Sequence, residues 1–211
     1  MIKLQAGIEV PMFDEGPAPW PVAAAAPGSW LVLDAGCTAD QVGLFVAALA
    51  ARIDVASPGS RDEVVDALLA EEFLIVAGGL RLSDTEAGTV VVPGCCCGLE
   101  DWREWIRVRT DCSPWLGHDP GPEVEVIGLD LRVWQDGGPN RERGRWAEQR
   151  VDLPRRELPE LLLGVQRDLV GFLNGLAQWA EQTGIGPRGA ELVAMIDQNF
   201  AVTAPLELPA S

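Results

Sequence analysis

From Leu158 to Trp179 the side chains Leu158, Leu162, Val165, Leu169, Phe172, Leu176 and Trp179 recur at alternating steps of four and three. That spacing keeps one stripe of an α-helix apolar over about six turns. A stripe of that length is stable in water only when other elements are laid against it, so the chain must carry a second layer. Pro159 suits the first turn, where its missing N–H costs nothing, and Gly184 is placed to end the helix just after Gln182. Gly164, Gly171 and Gly175 fall beside one another on an adjoining face. Interior glycine costs roughly 1 kcal/mol relative to alanine, so three of them predict close backbone packing there.

The remaining elements follow from shorter signals. Thr38-Ala-Asp-Gln41 and Ser60-Arg-Asp-Glu63 are capping boxes, each ahead of an apolar stripe: Val42, Phe45, Val46, Leu49 and Ile53 after the first, Val64, Val65, Leu68 and Leu69 after the second. Residues 187–200 predict a last amphipathic helix, and 99–108 another, with Trp102, Trp105 and Ile106 on one face. Short apolar runs predict strands at Ile2–Leu4 and Ile8–Val10 (edge strands), Ser29–Asp34, Phe73–Ala77, Leu80–Leu82 and Gly88–Val92. Residues 124–135 alternate, but the buried parity slips between Val126 and Ile127, which predicts a bulge near Gly128. Gly137-Gly138-Pro139-Asn140 then turns the chain, with residues 146–153 as the second arm of a long hairpin. The expected class is α+β: a mainly antiparallel sheet with a long hairpin, covered by amphipathic helices including the long C-terminal one. Residues 1–200 are read as a single α+β domain and 201–211 as a C-terminal tail.

Composition closes several chemistries. The 211 residues hold 16 Lys+Arg against 32 Asp+Glu, one histidine and five cysteines, for a net charge of -16. Such a charge opposes non-specific binding to nucleic acid or anionic lipid. Lys3 is the sole lysine, which leaves no candidate for a phosphate-binding or Schiff-base lysine. His118 is the sole histidine, which removes two-histidine metal sites. No stretch is long and apolar enough to span a membrane, and the first residues lack the apolar core of a signal peptide. Five cysteines, three of them consecutive, suit reduced thiols, and a cytoplasmic location is expected.

The conspicuous segment is Gly94-Cys95-Cys96-Cys97-Gly98, followed by Cys112 and His118. In an extended segment Cys95 and Cys97 point one way and Cys96 the other. Cys95, Cys97, Cys112 and His118 would then supply the four ligands of a zinc site. In a second reading one thiol near the helix N-terminus has a lowered pKa and acts as a nucleophile, with His118 as base and Asp111 or Asp119 orienting it. In a third, the cysteines fill a tight strand-to-helix junction.

Charge is unevenly placed. Residues 1–102 carry 4 basic and 15 acidic side chains, residues 103–156 carry 10 of each, and residues 157–211 carry 2 and 7. Arg132, Arg141, Arg143, Arg145, Arg150, Arg155 and Arg156 lie on or near the hairpin with Trp134 and Trp146. Glu142 and Glu148 intervene, so cross-strand ion pairs are expected there rather than a nucleic-acid groove. Trp20 and Trp115, beside prolines, are candidate exposed anchors. On the helix after Ser60, Asp62, Glu63 and Asp66, with Glu71 and Glu72 at its end, would face solvent as an anionic surface. The expected function is therefore a non-catalytic acidic protein that engages a basic protein partner, without a cofactor. In size and charge such a chain resembles immunity or antitoxin proteins that neutralise basic toxins, a likeness that transfers no residues. The alternative is a small zinc-binding or cysteine-dependent enzyme centred on Cys95–Cys97, Cys112 and His118.

Overall fold

Thr38 caps the first helix as its spacing demands. Its hydroxyl accepts from the Gln41 backbone N–H at 3.3 Å, while the Thr38 N–H donates to Gln41 Oε1 at 2.9 Å. This reciprocal cap starts α1 (Ala39–Ala50), and Ser60 with Glu63 starts α2 (Arg61–Ala70) in the same way. The computed structural model of the chain describes residues 1–13, 18–53, 59–110, 113–118, 121–135 and 149–208. The two remaining α-helices are α3 (Leu158–Thr183), ended by Gly184 at φ 70°, and α4 (Pro187–Phe200). The strands β1 (Ile2–Glu9), β2 (Trp30–Val32), β3 (Gly78–Asp84) and β4 (Thr89–Val91) form one sheet in the order β2-β1-β3-β4. A second sheet has the order β5-β6-β7, from β5 (Glu123–Ile127), β6 (Asp130–Trp134) and β7 (Arg150–Pro154). The fold is α+β with two antiparallel sheets.

Four elements differ from expectation. The strand expected at Phe73–Ala77 is reduced to a single bridge at Ala77, and β3 begins at Gly78. The two short edge strands at the start are one continuous strand, β1, and it is interior. Leu4, Ala6, Ile8 and Val10 are all buried and share one parity, so the weakly apolar Ala6 carries the pattern across the apparent gap. The parity slip near Gly128 is a chain reversal rather than a bulge. Ile127 pairs with Asp130, leaving Gly128 (φ 62°) and Leu129 as a two-residue hairpin loop, where positive φ favours glycine. The expected long hairpin is thus a three-stranded meander, with β6 paired to β7 from Asp130↔Pro154 to Trp134↔Arg150. The expected turn at 137–140 lies outside the described residues. Finally, Leu99–Thr110 is a 3₁₀ helix. Leu99, Trp102, Trp105 and Val108 are its buried residues, spaced by three throughout, which is the period of a 3₁₀ helix. Ile106, expected on that face, is only half-buried.

The described residues group into two compact units, neither contiguous in sequence: residues 1–7, 78–167 and 205–211, and residues 8–77 and 168–204.

In the first unit the 3₁₀ helix packs on β3, and Arg155 and Arg103 tie it down by donating to the carbonyls of Val108 and Pro205. The segment expected as a free tail is therefore anchored at Pro205. The Gln135 side chain accepts from the Val92 N–H at 2.9 Å and donates to its carbonyl at 3.2 Å, continuing the ladder where β4 has ended. Arg132 and Arg150 both lie over the Trp134 ring, at 5.5 and 5.3 Å from its centroid. Arg132 grips Asp152 through two bonds, of 2.7 and 3.0 Å, as the cross-strand register Arg132↔Asp152 allows. These hydrogen bonds hold the Asp152 carboxyl below the ordinary 3.8. A depressed carboxyl contributes stability above its unfolded pKa and loses it as pH falls through its folded one. The meander should therefore weaken below about pH 4, by less than about 1 kcal/mol because the pair is half-exposed. Carbon-detected NMR titration should place Asp152 below 3.8, and Arg132→Met should return it to the ordinary range.

The second unit is built around Phe45 of α1. Its ring meets Phe172 of α3 edge-on at 4.9 Å and Phe200 of α4 at 6.4 Å, and all three are buried. Val64, Val65 and Leu68 of α2 are buried, as are Leu192 and Ile196 of α4, on which α2 packs. Trp20 is not an exposed anchor: it is 4% exposed, donates from Nε1 to the Gly43 carbonyl at 2.9 Å and stands edge-on to Trp179 at 5.3 Å. Of the three α3 glycines, only Gly171 shows the expected close approach. A Cβ there would come within 2.6 Å of the Ala35 methyl, whereas Gly164 and Gly175 have room for one.

Candidate functional site

The cysteine segment is a tight turn, not an extended run. The Cys97 N–H donates to the Gly94 carbonyl at 3.3 Å, and Cys96, at the third position of the turn, takes φ 63°. A non-glycine residue in that region costs about 1–2 kcal/mol. The reversal turns Cys97 inward and leaves Cys95 and Cys96 exposed together. The parity argument that grouped Cys95 with Cys97 fails for this reason, since it holds only for extended backbone.

Residues 115–118 run alongside the turn. Gly94 N–H donates to the Leu116 carbonyl at 2.7 Å, and His118 N–H to the Cys95 carbonyl at 3.1 Å. Gly117 makes this crossing feasible. It sits at φ 110°, and a Cβ on it would lie 2.6 Å from the Gly94 carbonyl carbon. Trp115 braces the arrangement from outside: its Nε1 donates to the Cys96 carbonyl at 3.4 Å, and its ring stands edge-on to His118 at 5.1 Å. Cys95 Sγ, Cys96 Sγ and a ring nitrogen of His118 consequently all lie within 4.8 Å of one another, each exposed.

Cys97 is excluded from this cluster. It is 5% exposed, with its sulfur 3.9 Å from the carbonyls of Gly98 and Trp115. Burial, reinforced by the charges of Asp101 and Glu100, pushes its thiol up to about 12. The helix N-terminus was expected to lower a thiol here, but burial and two neighbouring carboxylates push this one the other way, and its sulfur is not among the clustered donor atoms. Cys112, Asp111 and Asp119, named with it from the sequence, lie outside the described residues, as do Arg141, Arg143, Arg145 and Trp146.

The acidic residues divide into two groups. Asp62 and Asp66 are both paired with Arg188 of α4, at 3.5 and 2.7 Å. Glu63 is folded back on Ser60, accepting from its N–H at 2.6 Å. Glu71 and Glu72, exposed at the end of α2, form no ion pair among the described residues. Beyond them residues 73–76 alternate: Leu74 and Val76 are buried, while Phe73 and Ile75 are 68% and 55% exposed. The Leu74 N–H donates to Asn199 Oδ1 at 2.9 Å, which seats this segment against the end of α4. Glu71, Glu72 and Phe73 border a groove of about 440 Å³ whose other side is Met195 and Gln198. Phe73 and Ile75 were not singled out from the sequence, which predicts a strand over 73–77. The alternation itself was visible only weakly, since all four side chains are apolar.

No family model, curated protein or solved structure matches this chain.

Proposed function

We propose that the chain is a binding protein that engages a basic protein partner at the end of α2, through Glu71, Glu72, Phe73 and Ile75. The observation that carries this reading is the adjacency of two exposed carboxylates, without an ion pair among the described residues, to two large apolar side chains left in water. Isolated exposed apolar residues are ordinary, but here two lie one residue apart, Phe73 borders a groove, and two carboxylates precede it in the chain, the anatomy of an anchor with a polar rim. The partner's matching surface would be cationic with an apolar insert, and the overall charge of -16 would speed its approach. Neutralising a basic toxin, in the manner of the immunity and antitoxin proteins that the chain resembles in size and charge, is the specific role put forward. Asp62 and Asp66, expected on the same surface, stay exposed but pair with Arg188, and Glu63 caps α2, so the proposed contact is centred on Glu71 and Glu72.

Paired baits test the reading: the natural chain and its Glu71→Lys/Glu72→Lys variant, followed by calorimetric titration of whichever basic protein the natural bait retains. The double reversal should weaken binding about 100-fold or more, by like-charge juxtaposition, and Phe73→Ala about 10-fold. Asp62→Asn/Asp66→Asn should leave affinity unchanged. Equal retention by both baits would sink the proposal.

A further inference from the structure

Exposed thiols adjacent in sequence are unusual, because free cysteine is among the most buried residue types and is open to oxidation in water. Here two are exposed together with the chain's sole imidazole, and their donor atoms lie within 4.8 Å of one another. The approach is maintained against cost. Cys96 occupies a backbone region that glycine would fill more easily, and the neighbouring segment passes so close that position 117 has no room for a side chain. A turn that merely joined β4 to the 3₁₀ helix would need neither feature.

We infer that Cys95, Cys96 and His118 form a site for a zinc ion, the three protein ligands it has among the described residues. Two thiolates and an imidazole are the soft and borderline donors that zinc prefers, and three protein ligands with an exchangeable fourth is a recognised zinc arrangement. Zinc bonds of about 2.3 Å to sulfur and 2.0–2.1 Å to nitrogen place the donors roughly 3.5–3.8 Å apart. The three atoms therefore need to close by about 1 Å, which side-chain rotation supplies while the turn and its hydrogen bonds stay as they are. On binding, the Cys95 and Cys96 thiols each release one proton to solvent and the imidazole binds neutral, so the complex carries no net charge. Trp115 is a positioning residue, since it fixes the ring plane of His118 and the Cys96 carbonyl without touching the ion. The site belongs to the first unit and uses none of the residues assigned to the partner surface.

The test uses the full chain without an affinity tag, reduced, stripped by chelator, and titrated with zinc against a chromophoric competitor. One zinc per chain is expected. Cys95→Ser, Cys96→Ser and His118→Asn should each weaken binding about 100-fold or more, and Trp115→Phe about 10-fold. Cys37→Ser and Cys97→Ala should bind as the natural chain does. Cobalt substituted for zinc should show a thiolate charge-transfer band that falls by about half in either single cysteine variant. Zinc should also slow maleimide modification of Cys95 and Cys96, mapped by peptide mass, a readout on the natural chain that does not depend on any variant folding. Zinc affinity in the Cys95→Ser/Cys96→Ser chain equal to that of the natural one, or alkylation of both thiols unaffected by zinc, would overturn the assignment.

Discussion

Phe45→Ala is expected to destabilise the protein by about 3–5 kcal/mol, the usual cost of removing a fully buried aromatic side chain. Phe45 is 0% exposed and touches two other phenylalanines of its unit, Phe172 from α3 and Phe200 from α4. Truncation leaves a void that neither ring can fill, because Phe172 and Phe200 project from helices whose other buried residues hold their axes in place. Edge-on aromatic contacts add about 0.5–1.5 kcal/mol each to the area lost. Urea unfolding followed by the fluorescence of Trp20 and Trp179 should show a lower midpoint, and exchange protection of the α1 amides should fall in parallel. Phe45→Leu should recover more than half of the loss, since it restores most of the volume. A midpoint unmoved by Phe45→Ala would mean that these three rings do not form the centre of the unit.

Gly117→Ala should cost at least about 2 kcal/mol locally and separate His118 from the thiols. Two effects add at this position. Backbone at φ 110° is strained for any L side chain, worth about 1–3 kcal/mol, and the new methyl would overlap the Gly94 backbone, which cannot rotate away as a side chain can. Relief requires the two segments to part, which breaks the bonds from Gly94 to Leu116 and from His118 to Cys95. Zinc affinity should therefore drop about 10-fold or more although every ligand is still present. Gly88→Ala is the matched control. Its φ is also positive, at 67°, but nothing lies within 4 Å of the added Cβ, so it should cost only about 1 kcal/mol and leave zinc binding alone. Equal effects from the two substitutions would show that crowding at Gly117 has no part in forming the cluster.

Elements whose signal lies in their own residues were legible. The capping boxes at Thr38 and Ser60, the stripe of α3 and the glycine that ends it each depend on neighbours within four positions. Where reading failed, the competing geometry was local but unrecognised. The three-residue spacing from Leu99 to Val108 was present, yet two tryptophans on one face fit an α-helix nearly as well. The parity slip at Gly128 was seen and assigned to a bulge, because a two-residue loop changes parity in the same way.

The sequence by itself determined the class of fold, the helix starts and stops, and the net charge of -16. Only the tertiary structure decided which charged and sulfur groups are available. Asp62 and Asp66 are engaged because Arg188, more than a hundred residues away, reaches them, while Glu71 and Glu72 have no such neighbour among the described residues. Cys96 rather than Cys97 joins Cys95 because one left-handed residue reverses the chain and a distant glycine lets a second segment pass beside it. Periodicity is written in a side chain's nearest neighbours. Partnership depends on groups that the chain brings together only when it is folded.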